Sequence, residues 1–251
     1  MSSLFKALER AESEGRPPSV RSSDGRSSDP PRRPDVLLPE VDLPEPCEEY
    51  EKLKVMITVA PNRGDLRSVM FVSALPGEGV STVTLGVANA AALGAPAGVL
   101  VVDADFASPS LANRLGVSPR LGLSDILAKR VVRADAVVRT AVSRLFLLDG
   151  GAGDVNFTSA RSLDDVRELL AELQTTYDHV LVDGGSLETC PQSVLLSRHV
   201  DGVAIVVHAE HTPSEVVVDA TARLRRAGAR LLGVVLNRRR TYVPASVSKR
   251  L

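Results

Sequence analysis

The stretch SALPGEGVSTVTLGVANAAAL, residues 73–93, decides how the chain is read. It follows an apolar run and passes through two glycines, Gly77 and Gly79, into a helical pattern. Backbone N–H groups that turn inward around an anion need glycine at such positions, because a Cβ would obstruct the close approach. A helix from about Ser81 adds free N–H groups and the positive end of its dipole. Ser81 then offers a hydroxyl on the Mg²⁺ side. A loop of this kind normally carries a lysine that reaches the β- and γ-phosphates, and here Val80 stands in its place. Alone, the stretch fits a phosphate cradle and a glycine-rich strand-to-helix turn equally well.

Outward from the loop, the runs SVMFVSA, GVLVVDAD, RLFLLDG, DHVLVDG, DGVAIVVHA and RLLGVVLN alternate with helical stretches. They are too uniformly apolar for a sheet with one wet face, which predicts an α/β fold, a parallel β-sheet with helices on both faces; the glycine loop, read as a phosphate cradle, would make it P-loop NTPase-like. Residues 83–102 carry no charge, but Gly86, Asn89, Gly94, Pro96 and Gly98 break them into helix, turn and strand, so no membrane span is expected. Three regions follow. Residues 1–46 read as a short amphipathic helix, with Leu4, Phe5, Leu8 and Ala11 at helical spacing, on a disordered tether. Residues 47–245 form the folded domain and 246–251 a basic C-terminal tail.

The chain has 251 residues and a net charge of -1, which gives no bias towards nucleic acid. Cys47 and Cys190 show no partnering pattern and read as reduced thiols of a cytoplasmic protein. No charged n-region followed by an apolar core opens the sequence, so no signal peptide is expected. His208 and His211 read as loop residues.

Three acids join the loop. Asp103 and Asp105 end one apolar strand and Asp183 ends another, at the carboxyl ends where a parallel sheet gathers its ligands. Hard oxygen donors there suit Mg²⁺ and its water shell, although Asp is also a common turn residue. The same residues also fit a dinucleotide fingerprint, with Asp103 on a ribose of NAD. Thr82 at the third glycine position and Pro76 in the turn count against it.

From residue 48 to about 245, and weakly over 1–12, the chain resembles the cytoplasmic bacterial tyrosine kinases (BY-kinases) of capsule and exopolysaccharide export, relatives of the partition and division-site ATPases. The resemblance is carried by EEYEKLK (48–54), SALPGEGVST (73–82), VLVVDADFASPSL (99–111), LGLSDIL (121–127), YDHVLVDGG (177–185), DGVAIVVHAEHT (201–212) and LLGVVLNRRRTYVP (231–244). It implies that Gly77, Glu78, Gly79, Val80, Ser81 and Thr82 cradle ATP or ADP and that Ser81 and Asp103 serve Mg²⁺. By the same resemblance Asp105 and Asp183 complete the metal shell and position the attacking hydroxyl, and Asn237 faces the adenine.

The departures from the family set the expected function. Val80 removes the loop lysine, Leu75 stands where the partition branch has its signature lysine, and Ala107 replaces a basic residue. Gly184 and Gly185 replace a Thr or Leu followed by proline. The C-terminal tyrosine cluster is reduced to Tyr242, the other tyrosines being Tyr50 and Tyr177. One lost charge-assisted contact corresponds to roughly a ten- to hundredfold loss of affinity, and phosphoryl transfer, which depends on charge neutralisation, suffers more. Arg238, Arg239 and Arg240 are candidate substitute cations or a solvated basic strand exit.

The expectation is a catalytically impaired BY-kinase homologue acting as a scaffold or regulator of a membrane polysaccharide co-polymerase. It would lie in the cytoplasm at the inner face of the membrane, held there by its partner. An active autokinase using a substitute cation is the alternative. The segment from Asp35 to Glu51 is acidic and no acid follows Asp219, so copies with complementary ends could meet head to tail. Glu48 matches the family's ring contact, whereas Glu51 and Lys54 replace two of its arginines.

Overall fold

The protein is described by a computed structural model covering residues 41–58, 66–129, 131, 133–151 and 160–239. The expected N-terminal helix, most of the tether, Arg240, Tyr242 and the basic tail lie outside these residues. Seven strands form one sheet: β1 (Ser68–Ser73), β2 (Val99–Asp103), β3 (Val137–Arg139), β4 (Leu145–Leu148), β5 (His179–Ser186), β6 (Gly202–His208) and β7 (Leu231–Asn237). Their order is β3-β4-β2-β5-β1-β6-β7. All neighbours run parallel except β3, which pairs antiparallel with β4 at one edge. That short strand, VVR, has too few residues to show a pattern, which is why the sequence does not announce it.

Helices cover both faces, as the apolar runs require. The longer ones are α1 (Glu48–Thr58), α2 (Val80–Ala92), α6 (Ala160–Thr176) and α8 (Ser214–Arg226). The short turns α3 (Leu111–Arg114), α4 (Leu123–Leu127), α5 (Arg133–Ala136) and α7 (Gln192–Leu196) link them to the strands. Side chains alternate across each strand, so Met70, Val72, Leu100 and Val102 face one core while Val69, Phe71, Val99 and Val101 face the other. Val166, Leu169, Leu170 and Leu173 of α6, at helical spacing, close the first core. Val83, Val87 and Ala91 of α2 close the second, and the Tyr50 ring of α1 lies against Gly86 of α2.

β1 sits between β5 and β6, with β2 beyond β5. The chain therefore crosses over from β1 to β2 past β5, and the carboxyl ends of β1, β2 and β5 open side by side. A crevice at such a point is where open parallel sheets bind ligands. Among the described residues no helix is long and apolar enough to cross a membrane.

Candidate functional site

The loop leaves β1 at Ser73 and enters α2 at Val80. Gly79 caps that helix at φ 94° and ψ 31°, in the left-handed region that glycine adopts without strain, and it supplies no side-chain cap. The first-turn N–H groups of α2 have no partner within the helix and no cap over them, so they are available to an anion. Gly77 is also left-handed, at φ 78°.

Two polar side chains hold the loop in this shape. Glu78 is 3% exposed. Its carboxylate accepts hydrogen bonds from Leu75 N at 2.8 Å, His208 N at 3.1 Å and the Thr212 hydroxyl, tying the loop to the end of β6. Asn237, the last residue of β7, donates Nδ2 to the Glu78 carbonyl at 2.8 Å and accepts from Arg238 N. A Cβ on Gly79 would stand 2.2 Å from Asn237 Nδ2, so glycine is required there by contact as well as by φ. The Asn237 amide, assigned by resemblance to an adenine, is here engaged with the loop. Glu78, expected as a loop ligand, turns its side chain towards β6, leaving its backbone for an anion.

Val80 is 6% exposed and packs in the core with Val69, Phe71 and Val83. A valine at this position is therefore a core residue, not a side chain over the cradle. Ser81 lies beside it, with its hydroxyl accepting from the Ser110 hydroxyl at 3.2 Å.

The three acids occupy different environments. Asp103 and Asp183 are partners in register on β2 and β5, and both are fully buried. Asp103 accepts from Asp105 N on one oxygen and from Ser110 N and Leu111 N on the other, at 3.2, 3.0 and 3.0 Å. Burial, then the Asp183 charge, push its carboxyl up to about 7, against the pull of the Leu111 and Ser110 N–H groups. Asp183 is pushed up to about 6 by burial, partly offset by the Ser81 hydroxyl and Gly185 N–H. One of its oxygens, Oδ1, accepts from Gly185 N, while Oδ2 is buried with no hydrogen-bond partner. Asp105 is half-buried, accepts from Ala107 N and Ser108 N, and lies against Gly185. Gly185 has φ 61°, and a Cβ there would meet the Asp105 carboxylate at 2.3 Å. Gly185 thus makes room for Asp105, while a Cβ on Gly184 would meet Met70 and Val72 in the core.

A cleft of about 410 Å³ gathers Gly77 to Thr82 with Asp105, Ser186, Arg114 and Arg238. Ser81 and Asp105, on the cleft wall, offer hard oxygens that suit Mg²⁺, and the buried Asp183 carboxylate neighbours the Ser81 hydroxyl. No three acidic, His or Cys side chains among the described residues converge closely enough to hold a metal directly, so the fit is through Ser81 and a water shell. Arg114 was not singled out in the sequence. Its signal was a lone cation three residues past Leu111, which only the fold brings to the loop. Arg114 Nη1 donates to Thr82 Oγ1 at 3.0 Å, and Nε donates to Asp42 at 2.9 Å.

A glycine-shaped anion cradle between a buried parallel strand and an uncapped helix, with acid-tipped strands beside it, defines a P-loop NTPase fold. No protein-family model matches the chain. It is 29% identical over 192 residues, 76% of this chain and 80% of the relative, to the tyrosine-protein kinase YwqD of Bacillus subtilis. It is 28% identical over 197 residues to the succinoglycan biosynthesis transport protein ExoP of Rhizobium meliloti, spanning 25% of that protein. Among solved structures, the kinase domain of VpsO superimposes with a TM-score of 0.65 at 29% identity, over 76% of this chain and 93% of that one. The septum site-determining protein MinD of Pyrococcus horikoshii, in complex with Mg-ADP, does so at 0.53 and 26% identity, over 73% and 76%. The homologues of this chain are the BY-kinases, and its structural neighbours extend to the division-site ATPases.

Proposed function

We propose that the protein is a BY-kinase homologue of capsule or exopolysaccharide biosynthesis that holds a magnesium nucleotide but transfers its phosphate poorly or not at all. It works by contact with the cytoplasmic segment of a membrane polysaccharide co-polymerase, as a scaffold or regulator. The observation that carries this reading is Val80, buried in the core beneath a loop whose glycine geometry and uncapped amides are intact. Positioning survives in such a site, whereas neutralisation of the charge moved in phosphoryl transfer does not.

Support comes from the relatives. The chain is similar in sequence to tyrosine-protein kinases, one of them named as putative, and to a succinoglycan biosynthesis transport protein. Mg²⁺, when bound, would supply neutralisation of phosphate charge. The chain's own residues hold what surrounds it: amides from Gly77 to Thr82 for phosphate, the Ser81 hydroxyl and Asp183 for the metal's water shell, and Asp105 at the cleft wall. Ala107 and Gly184 stand at two further positions where the kinase pattern has other residues.

The test is genetic. A host lacking the gene should lose or shorten its exported polysaccharide, and a folded Asp105→Ala variant should restore it. Restoration by the parent but not by Asp105→Ala would favour an active autokinase. Unchanged polysaccharide in the deletion strain would remove the proposal.

A further inference from the structure

We propose that Arg114 is a ground-state cation of the nucleotide cradle, holding a bound phosphate from the β2–α3 side without taking over the loop lysine's part in transfer, and that Asp42 restrains it until a phosphate arrives. This rests on the nucleotide reading above. Arg114 lines the same cleft as Gly77 to Thr82, and its guanidinium is already anchored to the loop through Thr82 Oγ1 at 3.0 Å. Its side chain is 18% exposed, so its charge is only partly screened by water. Arginine also presents several N–H donors in one plane, which lets it hold Thr82 and an anionic oxygen together.

The second observation is the partner. Asp42 accepts from Arg114 Nε at 2.9 Å, yet the Asp42 side chain is 73% exposed. Asp42 N also donates to the Arg114 carbonyl at 2.7 Å, so the short segment before α1 is pinned to α3 by both backbone and side chain. An ion pair with one partner so exposed is weak, and a doubly charged phosphate on the loop competes with it on favourable terms. Asp42, outside the cleft lining, thus competes with a phosphate oxygen for the Arg114 guanidinium. Arg238, another cleft cation, lies in the left-handed region at φ 55° and donates its backbone N–H to Asn237 Oδ1.

The pair predicts opposite signs for two substitutions. Calorimetric titration of the full chain with Mg-ADP should show affinity reduced about tenfold or more in Arg114→Gln, partial recovery in Arg114→Lys, and a gain of about two- to fivefold in Asp42→Asn. A merely structural Arg114–Asp42 bridge would instead make both Arg114→Gln and Asp42→Asn neutral or weaker. Parent-like binding by a folded Arg114→Gln, or weaker binding by Asp42→Asn, would overturn the inference while leaving the nucleotide reading standing. If neither the parent nor Val80→Lys binds Mg-ADP, both fail together.

Discussion

Asp103 and Asp183 face each other in register inside the sheet, and the cost of ionising both sets a pH dependence. Burial, joined at Asp103 by the Asp183 charge, pushes the two carboxyls up, to about 7 for Asp103 and about 6 for Asp183, above the roughly 3.9 of an unfolded aspartate. Between those limits the native state binds more protons than the unfolded one, so this pair lowers stability as pH rises. In metal-free protein, Asp183→Asn should therefore melt higher than the parent at about pH 8 and much like it at about pH 4. Thermal melts at the two pH values measure this, and a variant that loses stability equally at both would contradict it. Gly185 gives a second test at this scale. Gly185→Ala places a Cβ against the Asp105 carboxylate at φ 61°, and should cost about 1–2 kcal/mol in urea unfolding. A neutral result would mean that Asp105 moves freely and is not positioned by β5.

At the scale of elements, the loop between β1 and α2 is fastened rather than free. Glu78 joins it to the end of β6, and Asn237 joins it to the end of β7. Glu78→Ala leaves Leu75 N and His208 N without their acceptor and should destabilise by about 3 kcal/mol while weakening nucleotide binding. Equilibrium unfolding checks the first and titration the second; loss of neither would make the fastening incidental. This fastening was not legible in the sequence. The strands were, because Val-, Leu- and Ile-rich runs bounded by Gly and Asp mark buried parallel strands, although β7, from the same kind of run, leaves Val234 and Leu236 exposed at the sheet edge. Gly77 and Gly79 were legible too, since the loop needs their φ. The direction of the Glu78 side chain was hidden, as a glutamate between two glycines reads as a ligand or a solvated residue. Arg114 and Asp42 lie 72 positions apart and are brought together only by the crossover from β1 to β2.

Across the whole molecule, burial is uneven along the sheet. The centre, where β1, β2 and β5 meet, is sealed on both faces, whereas Val234 and Leu236 of the edge strand β7 are 49% and 62% exposed beside α8. Leu236→Lys should change the melting temperature little, while Leu100→Ala, at a fully buried position, should cost about 2–5 kcal/mol. Comparable losses at both sites would mean that the β7 face is covered in solution. The proposed division of labour, with a fixed cradle and missing charge, bears most directly on catalysis. Its central test is incubation of the purified full chain with Mg-[γ-³²P]ATP at saturating nucleotide, reading label on protein tyrosine against an Asp105→Ala control. No label above the control is predicted, and stoichiometric phosphotyrosine in the parent alone would contradict it.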